Sequence, residues 1–126
     1  MRIGATFKII GDDDQHLHLV ISAPCPKTQS VVSVNFTGWQ HGFDQTCIVQ
    51  VGEHPYIAKR SLVFYPNPRM YKLSTLDKLN KYGLLEFHED LSDELLKRIQ
   101  VGALKSPYMP ITPKQIMREQ FGHLLT

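Results

Sequence analysis

Three short stretches bring together side chains that can move protons or bind anions. The first is His16-Leu17-His18. Residues two apart on a strand point to the same side, roughly 6.6 Å apart along the backbone. Two such imidazoles could share one metal ion at about 2.0–2.1 Å, given a third ligand. His41, Asp44 and His54 are the candidates for that ligand. No second motif fixes one of them, so the plainer reading is two polar residues on a solvated strand face. No metal and no other cofactor is expected. The second stretch is Gly52-Glu53-His54-Pro55. It reads as an acid/base pair at the rim of a sheet, or as a polar hairpin turn stiffened by Pro55. The third is Lys59-Arg60-Ser61. Arg offers a bidentate fork and Lys a point charge, a combination that clamps phosphate. Charged strand ends also serve as ordinary edge protection.

These residues fall within a half-chain that reads as strands. Residues 6–10 form an apolar run ended by Gly11 and three aspartates. In 16–22, Leu17, Leu19 and Ile21 alternate onto one face, and His16, His18 and Val20 onto the other. Pro24 and Pro26 end that strand. In 31–37, Val32, Val34 and Phe36 share a face, and Ser33, Asn35 and Thr37 share the opposite one. Residues 38–44 form a loop. A third strand of this kind over 46–51 places Cys47, Val49 and Val51 inward. Residues 61–65 form another, stopped by Pro66-Asn67-Pro68. The period then changes. Ser74-Thr75-Leu76-Asp77 has the form of a capping box opening a short helix to about Lys81, closed by Gly83. Residues 84–87 fit a further strand. Ser92 caps a second helix with Leu95, Leu96 and Ile99 inward and Gly102 as its stop. Thr112-Pro113-Lys114-Gln115 opens a third. Short strands at about ten-residue spacing point to a mainly β fold with helical decoration, a small β-barrel plus C-terminal helices.

With 126 residues, 42% hydrophobic and 21% charged, the chain has the size and composition of one globular domain. The barrel and its helices would span about 5–102, with 103–126 as a C-terminal extension. No apolar run approaches the roughly 18 residues of a membrane span, and residues 1–7 lack the apolar stretch of an export signal. A cytoplasmic, non-membrane protein is expected. Cys25 and Cys47 lie far apart and form no C-x-x-C, which favours reduced thiols. Cys47 reads as core, and Cys25 as a poor nucleophile. A net charge of +2 permits nucleic-acid binding without arguing for it. No P-loop, G-x-G-x-x-G, nucleophile elbow or H-E-x-x-H is present.

In order, His16 to Ser22, Val32 to Thr37, a Gly turn, Lys59-Arg60-Ser61-Leu62-Val63 and a helix after Gly83-Leu84-Leu85 resemble the PemK/MazF-like toxins of toxin–antitoxin systems. The resemblance spans roughly Phe7 to Gly102 in element order. It implies an SH3-like barrel, a homodimer, a cognate antitoxin protein as partner and metal-independent cleavage of single-stranded RNA. The family's basic residue ahead of a Val-Val-Leu-Ser-like strand falls on His16, where arginine is usual. Its Thr matches Thr37. Its later polar or acidic position falls near Ser61, beside Lys59 and Arg60. On this reading His16 is base or acid, with His54 or His18 as counterpart, and Arg60 or Lys59 stabilises charge. Thr37 and Ser61 bind phosphate oxygens, and Trp39, Tyr56 or Phe43 stack unpaired bases. The departures at His16 and Ser61 leave an alternative open, a non-catalytic SH3-like module that binds nucleic acid or protein.

Overall fold

The computed structural model describes residues 1–13 and 15–125. Six strands form one sheet: β1 (Thr6–Ile9), β2 (His18–Val20), β3 (Ser30–Gly38), β4 (Ile48–Val49), β5 (Ser61–Lys72) and β6 (Leu85–His88). Their order is β4-β5-β3-β2-β1-β6, and every pairing is antiparallel. The sheet curls into a half-barrel with β4 and β6 at its edges. Three helices accompany it: α1 (Leu73–Lys81), α2 (Asp93–Lys105) and α3 (Ile111–Phe121).

The alternation read from residues 16–22 is what divides the interior. Leu17, Leu19 and Ile21 join Val32, Val34 and Phe36 in one cluster, which α2 and α3 cover with Leu95, Ile99, Ala103, Ile116 and Met117. Val20 points the other way, into a second cluster with Ala5, Phe7, Val31, Leu85 and Leu76 of α1. Both faces of the sheet are therefore buried in places. The helices are more than decoration, because α2 and α3 form one wall of the larger core. Residues 103–121 likewise belong to the body of the protein: Ala103, Leu104, Met109, Ile116 and Met117 are all buried.

The strand expected to stop at Pro66 continues to Lys72. The β3–β5 ladder shows how. Ser33 pairs with Arg69, yet Asn35, two residues on, pairs with Phe64. Three extra residues are thus looped out of β5, and Pro66 and Pro68 lie in that irregular stretch, where the ladder does not need their missing N–H groups. The bulge also inverts the strand's alternation. Val63 and Tyr65 face the larger core, whereas Tyr71 packs against the smaller one.

Three helix boundaries differ from expectation. β5 runs straight into α1, so Lys72 is the N-cap, Ser74 lies inside the first turn and no side chain caps the helix. Ile111 opens α3 after Pro110, and Pro113 lies in the first turn, where no intrahelical N–H bond is due. Gly102 does not stop α2, which continues to Lys105. A Cβ at Gly102 would collide with the Tyr65 hydroxyl, 3.0 Å from Cζ and 3.3 Å from the Cys47 Cβ. The glycine is there for that close approach. Ser92 does cap α2, its Oγ accepting from the Leu95 N–H at 3.1 Å.

Candidate functional site

The polar face of β3 meets the chain on either side of it around His16. A cleft of about 340 Å³ is lined by His16, Thr37 and Gly38 at the end of β3, and by Tyr56, Lys59 and Ser61 on the approach to β5. Five residues singled out in the sequence, His16, Thr37, Tyr56, Lys59 and Ser61, converge here. Sheet register brings them together: Thr37 pairs with Leu62 and Gly38 with Ser61, so the end of β3 lies beside the start of β5. His16 is exposed just ahead of β2, whose His18 pairs with Asn35.

His16 also borders two neighbouring clefts. One, of about 410 Å³, takes in Asp13, His18, Asn35, Asn67 and Arg69. The other, of about 250 Å³, takes in Asn35, Thr37, Gln40, Phe43 and Phe64. Together they make a polar surface running from Lys59 across His16 to Arg69. Asn35, Phe64, Asn67 and Arg69 were not singled out as site residues. The signal for Asn35 was the polar Ser33-Asn35-Thr37 face. Arg69 and Asn67 carry no sequence signal, because only the bulge in β5 brings them to this surface.

The remaining sequence candidates have other surroundings. His54 is buried, its Nδ1 accepting from the Tyr56 N–H at 3.1 Å and its Nε2 lying 2.6 Å from the Glu89 carbonyl oxygen. That pattern requires the neutral tautomer with hydrogen on Nε2. Both nitrogens are engaged with backbone, so His54 ties the 52–57 turn to the end of β6 and does not line the cleft. His18 is buried, packed between Phe7 (5.3 Å) and Tyr71 (5.4 Å), with its edge on the second cleft. Arg60 does not line the cleft; its guanidinium lies 4.2 Å from the Trp39 ring, a cation–π stack. The Trp39 backbone N–H bonds to the Arg60 carbonyl at 3.1 Å, which ties the end of β3 to the start of β5. Ser61 donates its hydroxyl hydrogen to the Lys59 carbonyl at 2.8 Å, so towards a ligand it offers only lone pairs.

Among the described residues, no three His, Cys, Asp or Glu side chains gather as a metal-binding group. His16 and His18 share the second cleft, where the described residues supply no third ligand of that kind. Cys25 and Cys47 are free thiols. Burial pushes the Cys47 thiol above its ordinary range, and burial likewise raises the Tyr65 phenol, whose hydroxyl donates to the Ile99 carbonyl at 2.8 Å. Cys25 is lowered, chiefly by the Lys27 backbone N–H.

No protein-family model, curated protein or solved structure matches this chain. No described helix is long and apolar enough to cross a membrane.

Proposed function

We propose that this chain is a toxin-like endoribonuclease that cuts single-stranded RNA by metal-independent transesterification on an SH3-like barrel. The observation that carries the reading is the convergence of His16, Thr37 and Lys59 on one cleft with aromatic Tyr56 beside them. RNA brings its own nucleophile, the 2′-hydroxyl beside the scissile phosphate, so the protein must supply proton transfer and charge stabilisation. His16 takes the 2′-hydroxyl proton as the 2′-oxygen attacks phosphorus. The imidazolium then returns a proton to the departing 5′-oxygen, leaving a 2′,3′-cyclic phosphate. The Lys59 ammonium faces the charge that builds on the phosphorane oxygens, and the Thr37 hydroxyl donates to one of them. The curled antiparallel sheet is compatible with the barrel, while the homodimer and the antitoxin partner follow from the sequence resemblance.

The environment of His54 favours a second reading. With that imidazole engaged by backbone, the cleft holds a single histidine, His16, which also suits a module that binds nucleic acid or protein without turnover.

The test is incubation of purified protein with a mixed-sequence single-stranded RNA in EDTA, with His16→Ala in parallel. Discrete fragments ending in 2′,3′-cyclic or 3′-phosphate are expected from the wild type alone. Equal cutting by His16→Ala would remove His16 from the mechanism. No cutting by either protein, with or without added Mg²⁺ or Zn²⁺, would leave the binding module as the better reading.

A further inference from the structure

The small cleft on the far side of His16 from Lys59 has a composition unlike the other two. Its walls are Phe43 and Phe64, ring centroids 6.2 Å apart and tilted by 49°. Its polar groups are the carboxamides of Asn35 and Gln40, the hydroxyl of Thr37 and the shared His16 imidazole; no Asp, Glu, Lys or Arg lines it. At about 250 Å³ it is too small for a drug-sized ligand and suits a single ring system. Aromatic walls with carboxamides at the edge are what a flipped-out nucleobase needs, a π-face to stack on and hydrogen-bonding groups for its edge.

A tight turn builds the outer wall. The Phe43 N–H bonds to the Gln40 carbonyl at 3.2 Å, and Gly42 sits at φ +87° in the third position, as a type II turn requires. The turn holds Gln40 and Phe43, its first and last residues, side by side. Asn35 is held from below, its Nδ2 donating to the Phe36 carbonyl at 3.1 Å. A carbonyl oxygen only accepts, so this bond settles which end of the Asn35 carboxamide is which. One of the two Nδ2 hydrogens is spent on the backbone, and Oδ1 is the acceptor of that carboxamide.

We infer that this pocket holds the nucleobase adjoining the scissile phosphate and selects one that presents an exocyclic amine, such as cytosine or adenine, over uracil. The inference rests on the RNA-cleaving reading and names the specificity of the same site. Asn35 Oδ1 accepts from the amine. Uracil presents its O4 carbonyl where cytosine presents the amine, and Oδ1, an acceptor, cannot bond to it.

The experiment compares short oligo(dC) and oligo(dU), which carry no 2′-hydroxyl and cannot be cut by this chemistry, in a fluorescence binding assay. Asn35→Leu and Gly42→Ala are measured beside the wild type, with circular dichroism to confirm that each is folded. The wild type is expected to bind oligo(dC) about tenfold more tightly than oligo(dU). Asn35→Leu should bring the ratio near one, and Gly42→Ala should weaken binding of both by straining the turn. Equal binding of the two oligomers by the wild type, no binding of either, or a preference that survives Asn35→Leu overturns the inference. RNA cleavage by the same preparations separates the two claims. A cytosine preference without any RNA cutting would sink the nuclease reading and leave the pocket standing. Cutting without any base preference would do the reverse.

Discussion

Replacing Gly102 with alanine tests the packing between α2 and the sheet. In an exposed helix interior this change stabilises by about 1 kcal/mol, because alanine loses less backbone freedom. Here the new methyl would meet the Tyr65 ring at 3.0 Å and the Cys47 Cβ at 3.3 Å, with the Tyr65 hydroxyl closer still. Tyr65 is fully buried and cannot swing into solvent. Relief requires α2 or the ring to yield by roughly 1 Å, and overpacking of this kind costs about 1–3 kcal/mol. Displacing the hydroxyl also endangers its 2.8 Å bond to the Ile99 carbonyl, worth about 1–3 kcal/mol when its loss leaves a buried group unsatisfied. The net expectation is a loss of about 2–4 kcal/mol, on a total of about 5–15 kcal/mol for a protein of ordinary stability. Urea titration at pH 7 measures it directly, and the melting temperature should fall by roughly 10 °C. Tyr65→Phe removes the atom that collides, so the double variant should be less destabilised than the sum of the singles, by about 1 kcal/mol or more. A Gly102→Ala protein as stable as the wild type would refute the reasoning and restore Gly102 to an ordinary helix position.

Lys59→Ala should lower RNA cleavage about 100-fold while leaving the melting temperature within a degree or two, since Lys59 is exposed and acts on developing charge; single-turnover rates check this. Burial pushes the Glu53 carboxyl up, but the Gln50 N–H and Arg98 outweigh it and hold it below the ordinary carboxylate range. A depressed carboxyl contributes stability above its unfolded value, about 4.3, and loses it as pH falls through the folded value. Glu53→Gln should therefore cost about 1 kcal/mol at pH 7, with the gap to wild type narrowing as the pH falls below the ordinary carboxylate range, read from urea midpoints across an acid pH series. Iodoacetamide at pH 7.5 should modify Cys25, lowered by the Lys27 N–H, well before Cys47, raised by burial. Peptide mass spectrometry follows both sites, and equal rates would contradict the burial of Cys47.

Where one local rule governs, much of the fold was legible in the chain, although the caps read at Ser74 and Thr112 did not form. The Leu17-Leu19-Ile21 alternation, the Ser92 cap and the strand after Gly83 rest on local periodicity or capping chemistry, and the structure contains them. Elements that depend on a distant partner were not legible. Nothing near Pro66 says that β3 will offer a register shift to absorb it, and nothing near Gly102 says that Tyr65 will arrive from 37 residues away. The same division applies to the site. His16, Thr37, Lys59 and Ser61 converge on one cleft because strand pairing places them there. His54 reads as a possible acid or base in a list of residue types, yet its two nitrogens are engaged by the backbone of Tyr56 and Glu89, one of them far along the chain.

The bulge in β5 makes one strand a beam common to two rooms. Its first half carries Val63 and Tyr65 into the core under α2 and α3, and its second half carries Tyr71 to the core under α1. β3 does the same with Val32 and Val31. β2 is shared as well, through Leu19 and Val20, so detaching one helix layer pulls on three strands that also support the opposite layer. Cooperativity in this molecule is therefore mechanical in origin. The chain would come apart as a whole, and the β3–β5 amides, at the centre of the frame, would be the last to exchange with solvent.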